Sequence, residues 1–188
     1  SRNGGGDGAG GGGSPANPNP PRPGSQGSRG AASSAYDIPA FELHETTDFE
    51  QASTEQLVRV HDPNYVAMVR LAASRMSAQG VSSPVPLTPM VQQARGAAPG
   101  TLKDPTTSDT KLSAGSYAAA RRAAGAVITA IDEVLAGRAR NALCLVRPPG
   151  HHAGVRGLIP GSVSCGFCVF NSVMVGAAHA LAASGSLG

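Results

Sequence analysis

Apolar residues first recur with a helical period shortly after residue 50. Ser53 stands three residues before Gln56, which is the spacing of a capping box and predicts the start of a short helix. Asp62 and Pro63 then predict a second helix, with an N-cap followed by proline at the first helical position. An apolar stripe over residues 65–76 continues this second helix for about three turns.

The most regular helical pattern runs over Gly115–Leu135. Ser116 is its expected cap, and Gly137 is its expected stop. A last helix, made mostly of small residues, is predicted over residues 173–183 with Asn171 as its cap. The chain therefore predicts helices at both ends of its ordered part.

One apolar run has no helical period. Ala142–Val146 is too short for a helix, and it predicts a strand buried on both faces of a parallel sheet, with Cys144 as a small core residue. The order of helix, strand, loop and helix predicts an α/β architecture, in which functional loops follow the carboxyl ends of the strands. Residues 77–112 are rich in Gly, Pro, Ser and Thr and predict a long loop, functional or disordered.

Composition separates the start of the chain from the rest. Of the 25 glycines and 15 prolines among the 188 residues, 11 glycines and 5 prolines lie in residues 1–30. We therefore expect residues 1–35 to be a disordered tail. The remainder is enough for at most one domain. Because the chain begins at Ser1 rather than Met, we expect it to be a piece of a longer protein.

Charge and cysteine content exclude several classes of function. The formal net charge of +3 comes without a Lys/Arg cluster, so no nucleic-acid interface is expected. No stretch of about 18 apolar residues is present to cross a membrane, and the start lacks the features of a signal peptide. Three cysteines without scaffold spacing favour a reducing compartment.

Two adjacent histidines follow the predicted strand. Side chains of neighbours in an extended segment point apart, so His151 and His152 serve one site only if the loop turns. Pro148, Pro149 and Gly150 favour such a turn. Histidine is the side chain best suited to proton transfer near neutral pH. From the residues alone, a structural role and a catalytic role both remain open for this pair.

Two further motifs have competing interpretations. Cys165 and Cys168 have C-x-x-C spacing, which is typical of half a zinc site or a redox pair. Adjacent histidines do not complete a Cys₂His₂ site, and no strand leads directly into the motif, so packed thiols are favoured. Asp109 precedes the main helix, where it is either a cap or a substrate acceptor. The residues alone favour the cap.

Five segments together resemble one family, the zinc-dependent histone deacetylases, and specifically their class II branch with the related acetylpolyamine amidohydrolases. These segments are Arg147–Ala153, Gly166–Asn171, Leu57–Val66, Ser108–Thr110 and Ser113–Tyr117. The resemblance covers about residues 40–184. It implies an α/β, arginase/deacetylase-like three-layer fold with a parallel sheet, incomplete in this chain. Residues 36–188 would be the N-terminal portion of the catalytic domain.

The resemblance also implies a reaction, the hydrolysis of acetyl-lysine amides. In this family zinc polarises the carbonyl and activates water. His152 matches the general base, and His151 matches its electrostatic partner. Phe167 matches a wall of the tunnel that holds the lysine methylenes, and Gly166 offers backbone to the substrate. Asp109 matches the rim carboxylate that binds substrate amides, which changes the interpretation from cap to substrate ligand.

The zinc ligands of this family, an Asp-x-His and a later Asp, lie downstream of the matched segments. The Asp residues that orient the two histidines, and the Tyr that stabilises the oxyanion, also lie downstream of these segments in the family. No metal ligand is therefore expected in this chain, and these 188 residues alone are expected to be inactive. The rival hypotheses are a non-catalytic deacetylase-like binding module and a small C-x-x-C zinc or redox module.

Partners and compartment rest on family analogy. The expected substrate is an acetylated lysine in a histone or another protein, although tubulin and polyamines remain open. A corepressor-type complex is expected as partner, without direct binding to nucleic acid or membrane. The expected compartment is the nucleus or the cytoplasm.

Overall fold

The computed structural model describes residues 43–185. In chain order its regular elements are α1 (Thr54–Val58), α2 (Pro63–Ala78), β1 (Val85–Pro86), α3 (Leu87–Ala94), β2 (Lys111–Leu112), α4 (Ser116–Leu135) and α5 (Ser172–Ala183), with 3₁₀ turns at Pro99–Thr101 and Pro105–Thr107. The predicted tail over residues 1–35 lies outside the described residues. None of the described helices is long and apolar enough to span a membrane.

The predicted helix starts are confirmed where side chains cap them. The Ser53 hydroxyl accepts the Gln56 N–H at 3.2 Å, and the Gln56 side chain accepts the Ser53 N–H at 2.7 Å, which completes a capping box for α1. Asp62 caps α2 and Asn171 caps α5. Helix α4 differs, because Gly115 occupies its N-cap position and the Ser116 hydroxyl does not cap it. These caps satisfy N–H groups that have no partner within a helix.

The stretch of residues 77–112 is more ordered than its composition predicts. It contains α3 and the two strands, which pair antiparallel. The Leu87 N–H extends this pairing by donating to the carbonyl oxygen of Thr110 at 2.8 Å. Leu87 and Val91 bury the inner face of α3. Helix α3 has only eight residues, so its period is too short to stand out from the surrounding sequence.

The predicted strand over Ala142–Val146 is wrong for the described structure. The segment is irregular, and Leu143 and Leu145 are 82% and 89% exposed. A strand buried on both faces needs neighbours on either side, and no strand within residues 43–185 pairs with it. Cys144 is only partly buried, with its Sγ 3.7 Å from the carbonyl oxygen of Ala126. The expected parallel sheet is therefore not formed by the described residues.

The core lies where α4 and α5 pack against each other and against α1 and α2. Phe170, just before α5, is buried at its centre and makes edge-to-face contacts with Tyr65 and Tyr117. The Tyr65 hydroxyl donates to the carbonyl oxygen of Val169 at 2.7 Å. These contacts fix the segment before α5, which directly follows the predicted site residues Gly166 and Phe167.

Candidate functional site

The histidine loop (residues 147–153) turns sharply at Gly150. This glycine has φ +90°, and a Cβ there would lie 2.5 Å from the carbonyl oxygen of Phe170, so a side chain would be strained and would collide. The turn brings the rings of His151 and His152 to a centroid distance of 4.4 Å at 67°. Both side chains are exposed. The two imidazole rings therefore lie close enough to serve one site, although side chains of neighbouring residues in an extended segment would point apart.

The cysteine loop (residues 164–168) packs against the histidine loop. The His152 N–H donates to the Cys168 Sγ at 3.4 Å, and the Cys168 thiol donates to the carbonyl oxygen of Gly166 at 3.2 Å. Gly166 has φ +57°, and a Cβ there would lie 2.7 Å from Cδ2 of His152. The Gly166 backbone therefore lies directly against the imidazole of His152, and a buried thiol joins the two loops.

Phe167 adopts a conformation that few side chains tolerate. Its φ is +61°, in the left-handed region, and 56% of its surface is exposed. Its N–H donates to the Thr110 hydroxyl at 2.8 Å, which holds the backbone in place. A non-glycine residue in this region costs on the order of 1 kcal/mol and is found at functional sites more often than elsewhere. The loop therefore presents an aromatic ring to solvent at an energetic cost.

Asp109 is part of a hydrogen-bond network rather than a helix cap. Its Oδ1 accepts the Thr110 hydroxyl at 3.0 Å, and its Oδ2 accepts the Ser164 hydroxyl. The Ser164 Oγ in turn accepts the Gly166 N–H at 2.8 Å. Partial burial acts to raise the pKa of Asp109, but the hydrogen bonds from Ser164 and Thr110 outweigh it and hold that pKa below its ordinary value. Asp109 is thus ionised at neutral pH.

A cleft of about 300 Å³ opens beside this network. It is lined by Asp109, Thr110, Lys111, Ser116, Ala119, Arg147, Pro148, Phe167 and Val169. The tandem histidines do not line it. A larger apolar groove of about 740 Å³ lies between α2 and α3, and none of the predicted site residues lines that groove.

His61 organises the site from the core, a role that the sequence did not reveal. Its Nε2 accepts the Asn171 N–H at 2.9 Å, so its Nδ1 carries the proton and faces the carbonyl oxygen of Val155 at 3.3 Å. The Asn171 amide donates to the carbonyl oxygen of Ala153 at 2.9 Å, one residue beyond His152. Burial lowers the pKa of His61 and keeps it neutral. The only sequence signal was its place in a motif shared with the family.

The described residues do not form a zinc site by themselves. Within residues 43–185, no three His, Cys, Asp or Glu side chains come together in a way that could hold a metal ion. Cys165 and Cys168 are buried free thiols, and burial raises the pKa of Cys165. A raised pKa keeps a thiol protonated, whereas metal binding and redox catalysis use the thiolate. The geometry therefore favours packed thiols over a C-x-x-C zinc or redox module.

Comparison with known proteins assigns the family. The model of the histone deacetylase domain matches residues 31–187. Type-2 histone deacetylase 1 of Dictyostelium discoideum is 32% identical over 154 residues, covering 71% of this chain and 10% of that protein. Polyamine deacetylase HDAC10 of Homo sapiens is 38% identical over 130 residues, covering 69% of this chain and 16% of that protein.

The structural comparison agrees. The crystal structure of the HDA15 HD domain matches with a TM-score of 0.50 and 30% sequence identity, over 72% of this chain and 29% of that chain. The chain thus spans only a small part of the relatives it matches. Its architecture is a partial arginase/deacetylase fold of the α/β class. The chain belongs to the histone deacetylase family, and its relatives include class II members.

Proposed function

We propose that the protein hydrolyses the amide bond of acetylated lysine in a histone or another protein. The observation that carries this proposal is the tandem pair of imidazoles, with His152 held against the backbone of Gly166, the residue before the exposed Phe167, in a chain of the histone deacetylase family. The two histidines supply proton transfer. The cysteine loop supplies contacts for the acetyl-lysine side chain, which is an apolar chain that ends in an amide.

Amide hydrolysis needs two proton transfers. Water must lose a proton as it attacks the carbonyl carbon, and the leaving amine must gain one before the C–N bond breaks. His152 takes the proton of the water and returns one to the amine, because its backbone is fixed by Cys168 and its ring lies at the substrate-facing Gly166. His151, with its ring 4.4 Å away, stabilises the charge that His152 acquires.

The remaining predicted site residues bind the substrate. The Phe167 ring packs against the methylenes of the lysine, and the Gly166 backbone borders the acetamide. Asp109 accepts N–H groups of the substrate backbone at the rim. The hydroxyls of Thr110 and Ser164 hold this carboxylate in place at the rim.

We further propose that the zinc ion used by this family is held by residues outside this chain, so that the 188 residues alone are inactive. The support is the family to which the chain belongs, in which the zinc ligands are expected downstream of the segments matched here. The test compares the 188-residue chain with the full-length product of the gene, by measuring bound zinc and the release of acetate from an acetyl-lysine peptide.

We expect both zinc and chelator-sensitive hydrolysis only in the full-length product. Robust hydrolysis by the 188-residue chain contradicts the proposed division of the site. A zinc-loaded full-length product that binds acetyl-lysine peptides without cleaving them contradicts the proposed activity and favours the alternative, a non-catalytic deacetylase-like binding module.

An acetylated polyamine is the second candidate substrate, because one relative with 38% identity is named a polyamine deacetylase. Measuring kcat/KM for both substrate classes separates the two. By family analogy we propose the nucleus or the cytoplasm as the compartment and a corepressor-type complex as the partner.

A further inference from the structure

Two basic side chains line the cleft beside Phe167 and have no partner among residues 43–185. Lys111 extends from β2 and Arg147 from the start of the histidine loop, and both are exposed. Neither side chain makes a hydrogen bond or an ion pair within that described range. Basic groups that line one cleft and lack an ion-pair partner favour the binding of an anion.

The cleft keeps a net positive charge despite Asp109. This residue is the one acidic group in the lining, and both of its oxygens already accept hydroxyl groups. The two cations therefore exceed the one carboxylate. The wall also includes the apolar Pro148 and Val169. Partial exclusion of water by such a wall strengthens the attraction of a carboxylate above its value in bulk water.

The proposed substrate group does not use these charges. An acetylated lysine is neutral, so its side chain offers no negative charge to Lys111 or Arg147. A carboxylate close to it in the substrate does, because the guanidinium of Arg matches a carboxylate with two parallel N–H bonds. We infer that Lys111 and Arg147 form a carboxylate subsite that selects peptides carrying Asp or Glu close to the acetyl-lysine. This inference rests on the proposed function.

The test uses four fluorescent peptides and the full-length protein. The peptides carry acetylated or unmodified lysine, each with either Glu or Gln at the flanking positions. Binding is measured by anisotropy at about 50 mM salt, where screening is weak. We expect the acetylated Glu peptide to bind about fivefold more tightly than the acetylated Gln peptide, the size typical of a partly exposed ion pair.

Variants assign this preference to the cleft. Lys111→Ala should reduce the preference for Glu, and Lys111→Glu should reverse it. Arg147 lies in the same loop as the tandem histidines, so the conservative variant Arg147→Lys is used at this position. It keeps the positive charge and removes the two parallel N–H donors of the guanidinium. Arg70→Ala is the matched control, since Arg70 is exposed on α2 and does not line the cleft. It should leave the preference unchanged.

The outcomes separate this inference from the proposed function. If acetylated peptides bind better than unmodified ones but Glu and Gln peptides bind equally, the subsite is overturned and the proposed function stands. If acetylation makes no difference, the proposed function fails. A Glu preference that Arg70→Ala also removes overturns the subsite, because the attraction would then be a property of the whole surface.

Discussion

At the scale of single residues, His61 links the segments that follow the two site loops. It is 2% exposed, and its ring contacts both Tyr65 and Phe170. Its nitrogens contact Asn171 and Val155, so one side chain connects the start of α5 with the segment beyond the tandem histidines. A buried polar group with both ring nitrogens paired stabilises the fold only while both partners remain.

Truncation of His61 should be costly. His61→Ala leaves a cavity and an unpaired Asn171 N–H, so we expect the free energy of unfolding to fall by about 3 kcal/mol. Urea denaturation measures it. His44→Ala removes an exposed histidine and should change stability by less than about 0.5 kcal/mol. Similar losses for the two variants would contradict the role given to His61.

The lowered pKa of His61 makes stability depend on pH. Burial disfavours the imidazolium in the folded state, so the unfolded chain binds the proton more readily. The contribution of neutral His61 to the free energy of unfolding is complete above the pKa of histidine in the unfolded chain, about 6.5. It is lost as the pH falls through the lower pKa of His61 in the folded protein. We expect His61→Gln, which keeps one donor and one acceptor, to lose less stability than the wild type between about pH 7 and pH 5. Equal losses would refute this.

Gly150 tests the turn that brings the histidines together. Gly150→Ala adds a Cβ at φ +90° and 2.5 Å from a backbone oxygen. Gly80→Ala is the matched control, with φ +61° and nothing within 4 Å of the added carbon. In both variants the positive φ costs about 1 kcal/mol of backbone strain. Only in Gly150→Ala does the added Cβ also collide with the carbonyl oxygen of Phe170. Thermal denaturation should show at least about twice the loss for Gly150→Ala. Equal losses would mean that the turn relaxes freely.

At the scale of elements, local signals were predictable and non-local ones were not. Ser53, Asp62 and Asn171 cap helices as predicted, because a cap depends on a few neighbouring residues. The apolar run Ala142–Val146 indicated a strand, but strand formation depends on distant partners that no local pattern contains. The short helix α3 was missed for the opposite reason, since tertiary contacts with the core stabilise it more than its own period indicates.

Two helical glycines show how closely the elements pack. A Cβ on Gly125 in α4 would collide with the carbonyl oxygen of Glu50, which is backbone. A Cβ on Gly176 in α5 would lie 2.6 Å from Cγ1 of Val127 and 2.8 Å from Cδ1 of Ile131, which are side-chain ends. Side-chain ends move more easily than backbone, so the two positions should respond differently to the same added methyl group.

We therefore expect Gly125→Ala to destabilise the protein by about 2–3 kcal/mol. Gly176→Ala should stay within about 1 kcal/mol of the wild type, because the gain of about 1 kcal/mol in helix propensity offsets the repacking. Urea denaturation of the two variants gives the comparison. A larger loss for Gly176→Ala would contradict the packing described for α4 and α5.

At the scale of the whole molecule, motifs in the sequence predicted the family, and the structure supplied the connections between them. Asp109 and Gly166 were expected to be site residues, but nothing in the sequence indicated that Ser164 would bridge them. Thr110 likewise holds Phe167 across 57 residues of chain. Hydrogen bonds between distant loops depend on the folded path of the chain, so a single sequence does not reveal them.

The central claim is that His152 moves the protons in acetyl-lysine hydrolysis. The most direct measurement is kcat/KM for an acetyl-lysine peptide with the full-length protein and its His152→Ala and His44→Ala variants, all shown to be folded by circular dichroism. The account predicts a fall of at least about 100-fold for His152→Ala, mainly in kcat, and little change for His44→Ala. Unchanged activity in His152→Ala would contradict it.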